Sequence, residues 1–227
     1  MGKLEVLYED NHLLVVNKPA GTLVQGDRTG DRTLAETAKL YLKEKYNKPG
    51  NVFLGIAHRL DRPVSGVLIF ARTSKALTRL NLQFRDRSVK KTYWALVNNE
   101  PDKHTGILEH WLIKDHNKNI TKAHLRPVKD AKEAKLEYQL LKKFNDLFLL
   151  EITPLTGRSH QIRVQLATMK CPIQGDLKYG YPHTNSDGNI SLHAREIIFT
   201  HPVTLKKVKI IAPLPNNKEW QSLAQIL

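Results

Sequence analysis

Short runs of β-branched, aromatic and leucine residues recur along this chain, set apart by turns more often than by helices. That pattern narrows the fold more than any other feature. Val6-Leu7-Tyr8 and Leu13-Leu14-Val15-Val16 flank the polar Glu9-Asp10-Asn11-His12, as in a hairpin or a strand entered by a turn. Residues 67–71 are apolar throughout, as a buried strand is, and 91–97 are rich in strand formers. Residues 136–141 and 147–153 bracket Asn145-Asp146 as a further pair, and 197–199 and 208–211 follow. Helical patterns are fewer. Thr33-x-x-Glu36 is a capping box opening a helix to about Tyr46, with Leu34, Ala38, Tyr41 and Leu42 on one stripe. Ser74 is placed to cap a helix to about Asp86, with Leu77, Leu80 and Phe84 on one face. Residues 157–169 read as a helix capped by Thr156 or Ser159, and 217–227 as a terminal one with Trp220, Leu223, Ala224 and Leu227 aligned. Strands and helices do not alternate regularly, which argues against a doubly wound parallel sheet. The expectation is an α+β fold: one domain over 1–227, on a mixed, mostly antiparallel β-sheet flanked by helices.

Charge then narrows the partner. With 36 Lys and Arg against 22 Asp and Glu in 227 residues, the net charge is +14 and the pI about 9.8. Such an excess attracts polyanions, nucleic acid first among them. Residues 99–133 are polar and aperiodic; they hold either a short hairpin or a mobile arm that meets RNA. The single cysteine, Cys171, allows neither an internal disulfide nor a cysteine-based zinc site, and the ten histidines lack ligand spacing. No metal is expected. No run approaches the roughly 20 apolar residues that span a bilayer. Glu5, Glu9 and Asp10 argue against a targeting peptide, so a cytoplasmic protein, by default a monomer, is expected.

The chemistry concentrates in two segments. His58-Arg59-Leu60-Asp61-Arg62-Pro63-Val64-Ser65-Gly66 sets one carboxylate among two arginines and a histidine. Nearby positive charge favours the ionised carboxylate, which can act as a nucleophile, while the arginines can hold phosphate. Taken alone, the same residues also fit solvated ion pairs. Leu155-Thr156-Gly157-Arg158-Ser159-His160-Gln161-Ile162-Arg163 could open a helix whose N-terminus binds an anion, or Arg163 could turn inward to a buried carboxylate. Lys91-x-Tyr93 offers a tyrosine that could stack on a base or simply fill a core. Gly175-Asp176 with Tyr179-Gly180 frames a tight loop, a weak signal by itself. No glycine-rich cofactor fingerprint occurs, and no second carboxylate stands near Asp61 as a glycoside hydrolase would need.

Taken together and in this order, the segments resemble the RluA-type family of RNA pseudouridine synthases. His58 to Gly66 matches that family's His-Arg-Leu-Asp-x-x-Thr-Ser-Gly motif, and Leu155 to Arg163 its Leu-x-Thr-Gly-Arg-x-His-Gln-Ile-Arg motif. Leu14 to Gly21, Lys91-x-Tyr93, Gly175-Asp176, Tyr179-Gly180 and Leu192-His193-Ala194 follow its remaining landmarks. One departure is Val64, where the family usually has threonine. The resemblance implies isomerisation of uridine to pseudouridine in structured RNA, a ribosomal or transfer RNA stem-loop, with no cofactor. It implies Asp61 as the catalytic aspartate, Arg163 as the cation that pairs with it, and Tyr93 as the tyrosine that stacks on the base and can move a proton. Arg62 would fill the space left by the flipped base. His58 and Arg59 would shape the loop or touch phosphate, with Arg158, Lys18 and Lys178 as further phosphate contacts. Many relatives carry a small S4 RNA-binding domain at the N-terminus; none is expected here. A catalytically inactive RNA-binding relative is the alternative.

Overall fold

The computed structural model describes residues 4–26, 30–144 and 146–224. These contain eleven β-strands and four α-helices, in two compact units: residues 1–90 with 194–215, and residues 91–193 with 216–227. The fold class is α+β, as the strand runs predicted.

The first unit begins with β1 (Val6–Glu9) and β2 (Leu13–Lys18), an antiparallel pair. Asp10 closes its turn, its Oδ1 accepting the N–H groups of His12 and Leu13 at 2.8 Å each. Helix α1 (Leu34–Lys45) carries the expected capping box between Thr33 and Glu36. Glu9 ties β1 to this helix, accepting from Tyr41 (2.7 Å), Tyr46 (2.6 Å) and Lys45 (2.8 Å). The short β3 (Gly55–Ile56) and the wholly buried β4 (Ser65–Ala71) follow. Helix α2 (Ser74–Arg85) is capped by Thr73, whose side chain accepts from Ala76 N–H, one residue before the expected Ser74. After β10 (Leu192–Thr200) and β11 (Lys207–Ile211), the strand order in this unit is β1-β2-β4-β10, with β3 on β4 and β11 on β10.

Lys18 of β2 pairs with Gly66 of β4, and this is where the sheet constrains sequence most tightly. Gly66 has φ +116°, and a Cβ there would lie 2.3 Å from the carbonyl oxygen of Ala194. Only glycine lets the start of β4 approach β10 so closely.

The second unit is built on β5 (Lys90–Val97), β6 (Thr105–Asp115), β7 (Ile120–His124), β8 (Lys132–Phe144) and β9 (Leu147–Pro154), in the order β5-β9-β8-β6-β7. The aperiodic region thus holds a hairpin whose first strand runs eleven residues. Helix α3 (Gln161–Thr168) starts four residues later than expected. Neither Thr156 nor Ser159 caps it: the preceding residue, His160, takes the left-handed conformation at φ +54°. The Gln161 side chain instead accepts from Arg158 N–H (2.9 Å) and the Thr156 hydroxyl (2.8 Å), holding 157–160 as a turn. Helix α4 (Lys218–Ala224) buries Trp220 and Leu223; Leu227 lies outside the described residues.

Candidate active site

The Asp61 loop joins β3 to β4. Leu60 and Val64 are buried on either side, so Asp61 between them is half-buried while Arg59 and Arg62 are exposed. Val64 N–H donates to the Asp61 carbonyl (3.1 Å). The Arg62 carbonyl accepts twice, from Gly21 N–H (2.9 Å) and from Lys18 Nζ (3.0 Å). Val64 fits this design: its side chain is buried, and an apolar branched residue needs no hydrogen-bond partner there.

Lys18 is fully buried and so does not face a phosphate, contrary to expectation. Its ammonium donates to the carbonyls of Pro19 and Arg62, both at 3.0 Å, which makes it an internal brace for the loop. Burial pushes it down to about 7 from an ordinary 10.5; Asp61 opposes that shift and Arg62 adds to it. In the unfolded chain the lysine holds its proton to about 10.5, so between these values the folded form binds fewer protons. Stability from this group therefore rises with pH across that window, by at most about 1.4 kcal/mol per pH unit. Urea unfolding at pH 7, 8 and 9 should show wild type gaining on Lys18→Met as pH rises. A difference that stays flat would mean that Lys18 keeps its proton in the folded state.

His58 also works inward. Its Nε2 accepts Ile69 N–H of β4 (3.0 Å) and its ring stacks on Phe84 with centroids 4.7 Å apart. His58→Ala removes that acceptor and the stacked ring, and should cost about 2 kcal/mol in urea denaturation; a loss below about 0.5 kcal/mol would show that water replaces the contact. Arg62 reaches outward, with Nε on the Gly21 carbonyl (3.0 Å) and a guanidinium nitrogen 2.8 Å from Asp31, both side chains about half exposed. An exposed pair of this kind is worth under about 1 kcal/mol.

In the second unit, Arg163 turns inward from α3. It meets Asp176 through two bonds of 2.7 Å, both side chains almost fully buried, and lies over the Tyr179 ring at 5.1 Å. The Tyr179 hydroxyl contacts His160 Nδ1 (2.7 Å) and accepts Thr121 N–H (2.8 Å). Burial raises the Tyr179 phenol, keeping it protonated. Lys91 and Tyr93 share one face of β5, and Tyr93 is half-buried. The Lys91 ammonium would lie 3.8 Å from a Cβ on Gly157, and burial lowers its proton affinity. Arg158 is half-buried, its Nε on the Glu133 carbonyl (3.0 Å); Lys178 is exposed and reaches the Asn119 carbonyl (3.1 Å). Among the described residues, no His, Cys, Asp and Glu cluster is arranged to hold a metal ion. No described helix is long and apolar enough to cross a membrane.

The family model for RNA pseudouridylate synthase matches residues 12–168, most of the chain, including the Asp61 loop and Arg163. The chain belongs to the RNA pseudouridylate synthase family. It is 34% identical to the ribosomal large subunit pseudouridine synthase C of Vibrio cholerae over 220 residues, covering 94% of this chain and 67% of that protein. It is 37% identical to the protein of the same name from Buchnera aphidicola of Acyrthosiphon pisum over 216 residues, covering 92% and 67%. The chain thus spans about two thirds of these relatives' length. Among solved structures, human RNA pseudouridylate synthase domain containing 4 superposes with a TM-score of 0.80 at 26% identity, over 98% of this chain and 92% of that one.

As a pseudouridine synthase by family, the chain is an RNA-modifying isomerase. Sequence reasoning placed Asp176 and Tyr179 in motifs but did not see that both meet Arg163, the first by two hydrogen bonds and the second by its ring. The acidic partner was open to inference, because a buried guanidinium needs a carboxylate; its identity was not, because Asp176 lies thirteen residues on, past a turn.

Proposed function

We propose that this enzyme converts specific uridines in structured RNA to pseudouridine, with Asp61 as the catalytic carboxylate. The N-glycosidic bond to N1 breaks, the uracil turns and C5 bonds to the sugar; C5 loses a proton and N1 gains one, so the reaction balances without a co-reactant. One observation carries the choice of Asp61: the residue is half-buried on a braced loop, with its charge acting on the buried Lys18 ammonium and the exposed Arg59 and Arg62 nearby in the chain. Such a group is fixed in place yet open to a base, which geometric preorganisation of a nucleophile requires.

The other parts follow from the motif match. Tyr93 offers its ring for stacking on the target base. Arg163, held rigid by Asp176, supports the ionised Asp61. Arg62, on its weakly held exposed arm, fills the stack vacated by the base, which favours loops where extrusion costs least. Arg59, Arg158 and Lys178 contact phosphates. The names of the relatives favour ribosomal large-subunit RNA, with transfer RNA stem-loops as the alternative substrate, and a cytoplasmic site of action.

The test uses unmodified ribosomal and transfer RNA as separate pools. Each is treated with wild type or Asp61→Asn, and pseudouridine is mapped by carbodiimide-induced reverse-transcription stops. New stops with wild type only establish the activity, Asp61 and the target together. No stops in either pool, with RNA still bound, would favour an inactive RNA-binding relative.

A further inference from the structure

We infer that the β6–β7 hairpin tip and the loop after β7 form an RNA-docking surface. Its cations, Lys118, Lys122, Arg126 and Lys129, take phosphates, and its apolar residues, Leu125 and Val128, pack on an unstacked base or sugar. The inference rests on the proposed function only in taking RNA as the substrate.

Several observations converge on this surface. Residues 125–130 are exposed at every position, and Leu125 is 76% exposed, among the most exposed large hydrophobic side chains described. A lone exposed leucine is ordinary. Here it stands in a cationic loop. Among the described residues, none of the four cations forms a salt bridge; Asp115 beside them accepts Lys118 and Asn117 N–H through Oδ1 at 3.0 Å each, and those bonds, with the charges of Lys118 and Lys122, hold its carboxyl below the usual range. The local field is positive on balance, the four cations outnumbering Asp115 and Asp130, which favours a polyanion.

The hairpin is also fixed where it matters. Thr121 of β7 donates its N–H to Tyr179 Oη (2.8 Å) and its hydroxyl to the Ser159 carbonyl (3.0 Å). Lys178 bonds the Asn119 carbonyl in the turn. The inner face of the hairpin is thus tied to the segment that carries His160 and Arg163. RNA bound on its outer side is held in register with that segment, so docking there positions substrate and does more than hold it.

The test measures binding of the full chain to unmodified large-subunit ribosomal RNA transcribed in vitro, by filter binding from 50 to 300 mM salt. Arg126→Glu/Lys129→Glu should raise Kd at least about tenfold and flatten the logarithmic salt slope by about two. Leu125→Ser should raise Kd several-fold with an unchanged salt slope, because its contact is apolar. Lys39→Glu/Lys43→Glu, the same charge change on the exposed side of α1, should leave Kd within about threefold. The inference falls if the loop variants bind like wild type, or if the α1 pair weakens binding as much. Because the readout is binding, absent pseudouridine formation by wild type would sink the proposed activity without touching this result.

Discussion

Asp61→Asn should lower pseudouridine formation by about 10⁴-fold or more while leaving the fold and RNA binding intact. A loss of that size is typical when the reacting group of an enzyme is removed and its surroundings remain. The surroundings do remain here. The loop is shaped by backbone bonds from Val64 and Gly21, which do not involve the Asp61 side chain, and by Lys18, which reaches the Arg62 carbonyl. Asparagine keeps the shape, and a half-exposed amide is easily hydrated. The substitution has a second, independent signature. The Asp61 charge is what holds Lys18 up against burial, so without it Lys18 releases its proton at lower pH. The pH-dependent stability that separates wild type from Lys18→Met should therefore begin at lower pH in an Asp61→Asn background. Single-turnover kinetics on the mapped RNA decide the main point: Asp61→Asn retaining more than about a tenth of the wild-type rate would show that another group does the chemistry.

The parts of this molecule that were legible in the sequence are those whose cause is local. The capping box of α1 is Thr33 and Glu36 acting on neighbouring backbone, and the hairpin of β1 and β2 is closed by Asp10 three residues away. The Asp61 loop was legible because motif and geometry coincide within nine residues. What was misjudged depends on distant partners. Lys18 reads as a surface cation, yet two carbonyls, one of them 44 residues away, allow it to be buried. Strand β6 lacked a clean apolar face because His110 sits on its buried side, where Gln165 of α3 contacts it at 3.1 Å. The start of α3 was set by His160 adopting a left-handed backbone and by Gln161 reaching back, neither of which a capping pattern anticipates.

The same logic makes Asp176 the most sensitive structural position outside the reacting loop. Arg163 and Asp176 are buried together with two bonds of 2.7 Å, and the guanidinium is further covered by Tyr179. Each charge offsets the burial cost of the other. Asp176→Ala removes the carboxylate that Arg163 meets through two bonds, and breaking one side of such a pair costs about 3–5 kcal/mol. Asp176→Asn keeps the shape and one acceptor but loses the charge, so it should fall between wild type and alanine. Arg163→Met/Asp176→Leu removes both charges and should recover much of the loss, because a matched apolar pair avoids the desolvation penalty. Urea denaturation of the four proteins gives the ordering, and activity separates fold from chemistry. The double variant should be folded and inactive, since the arginine that the motif match places in the reaction is gone. If Asp176→Ala costs less than about 1 kcal/mol, the pair is solvated and does not hold Arg163 in place. If the stable double variant still forms pseudouridine at the wild-type rate, Arg163 is a structural residue alone.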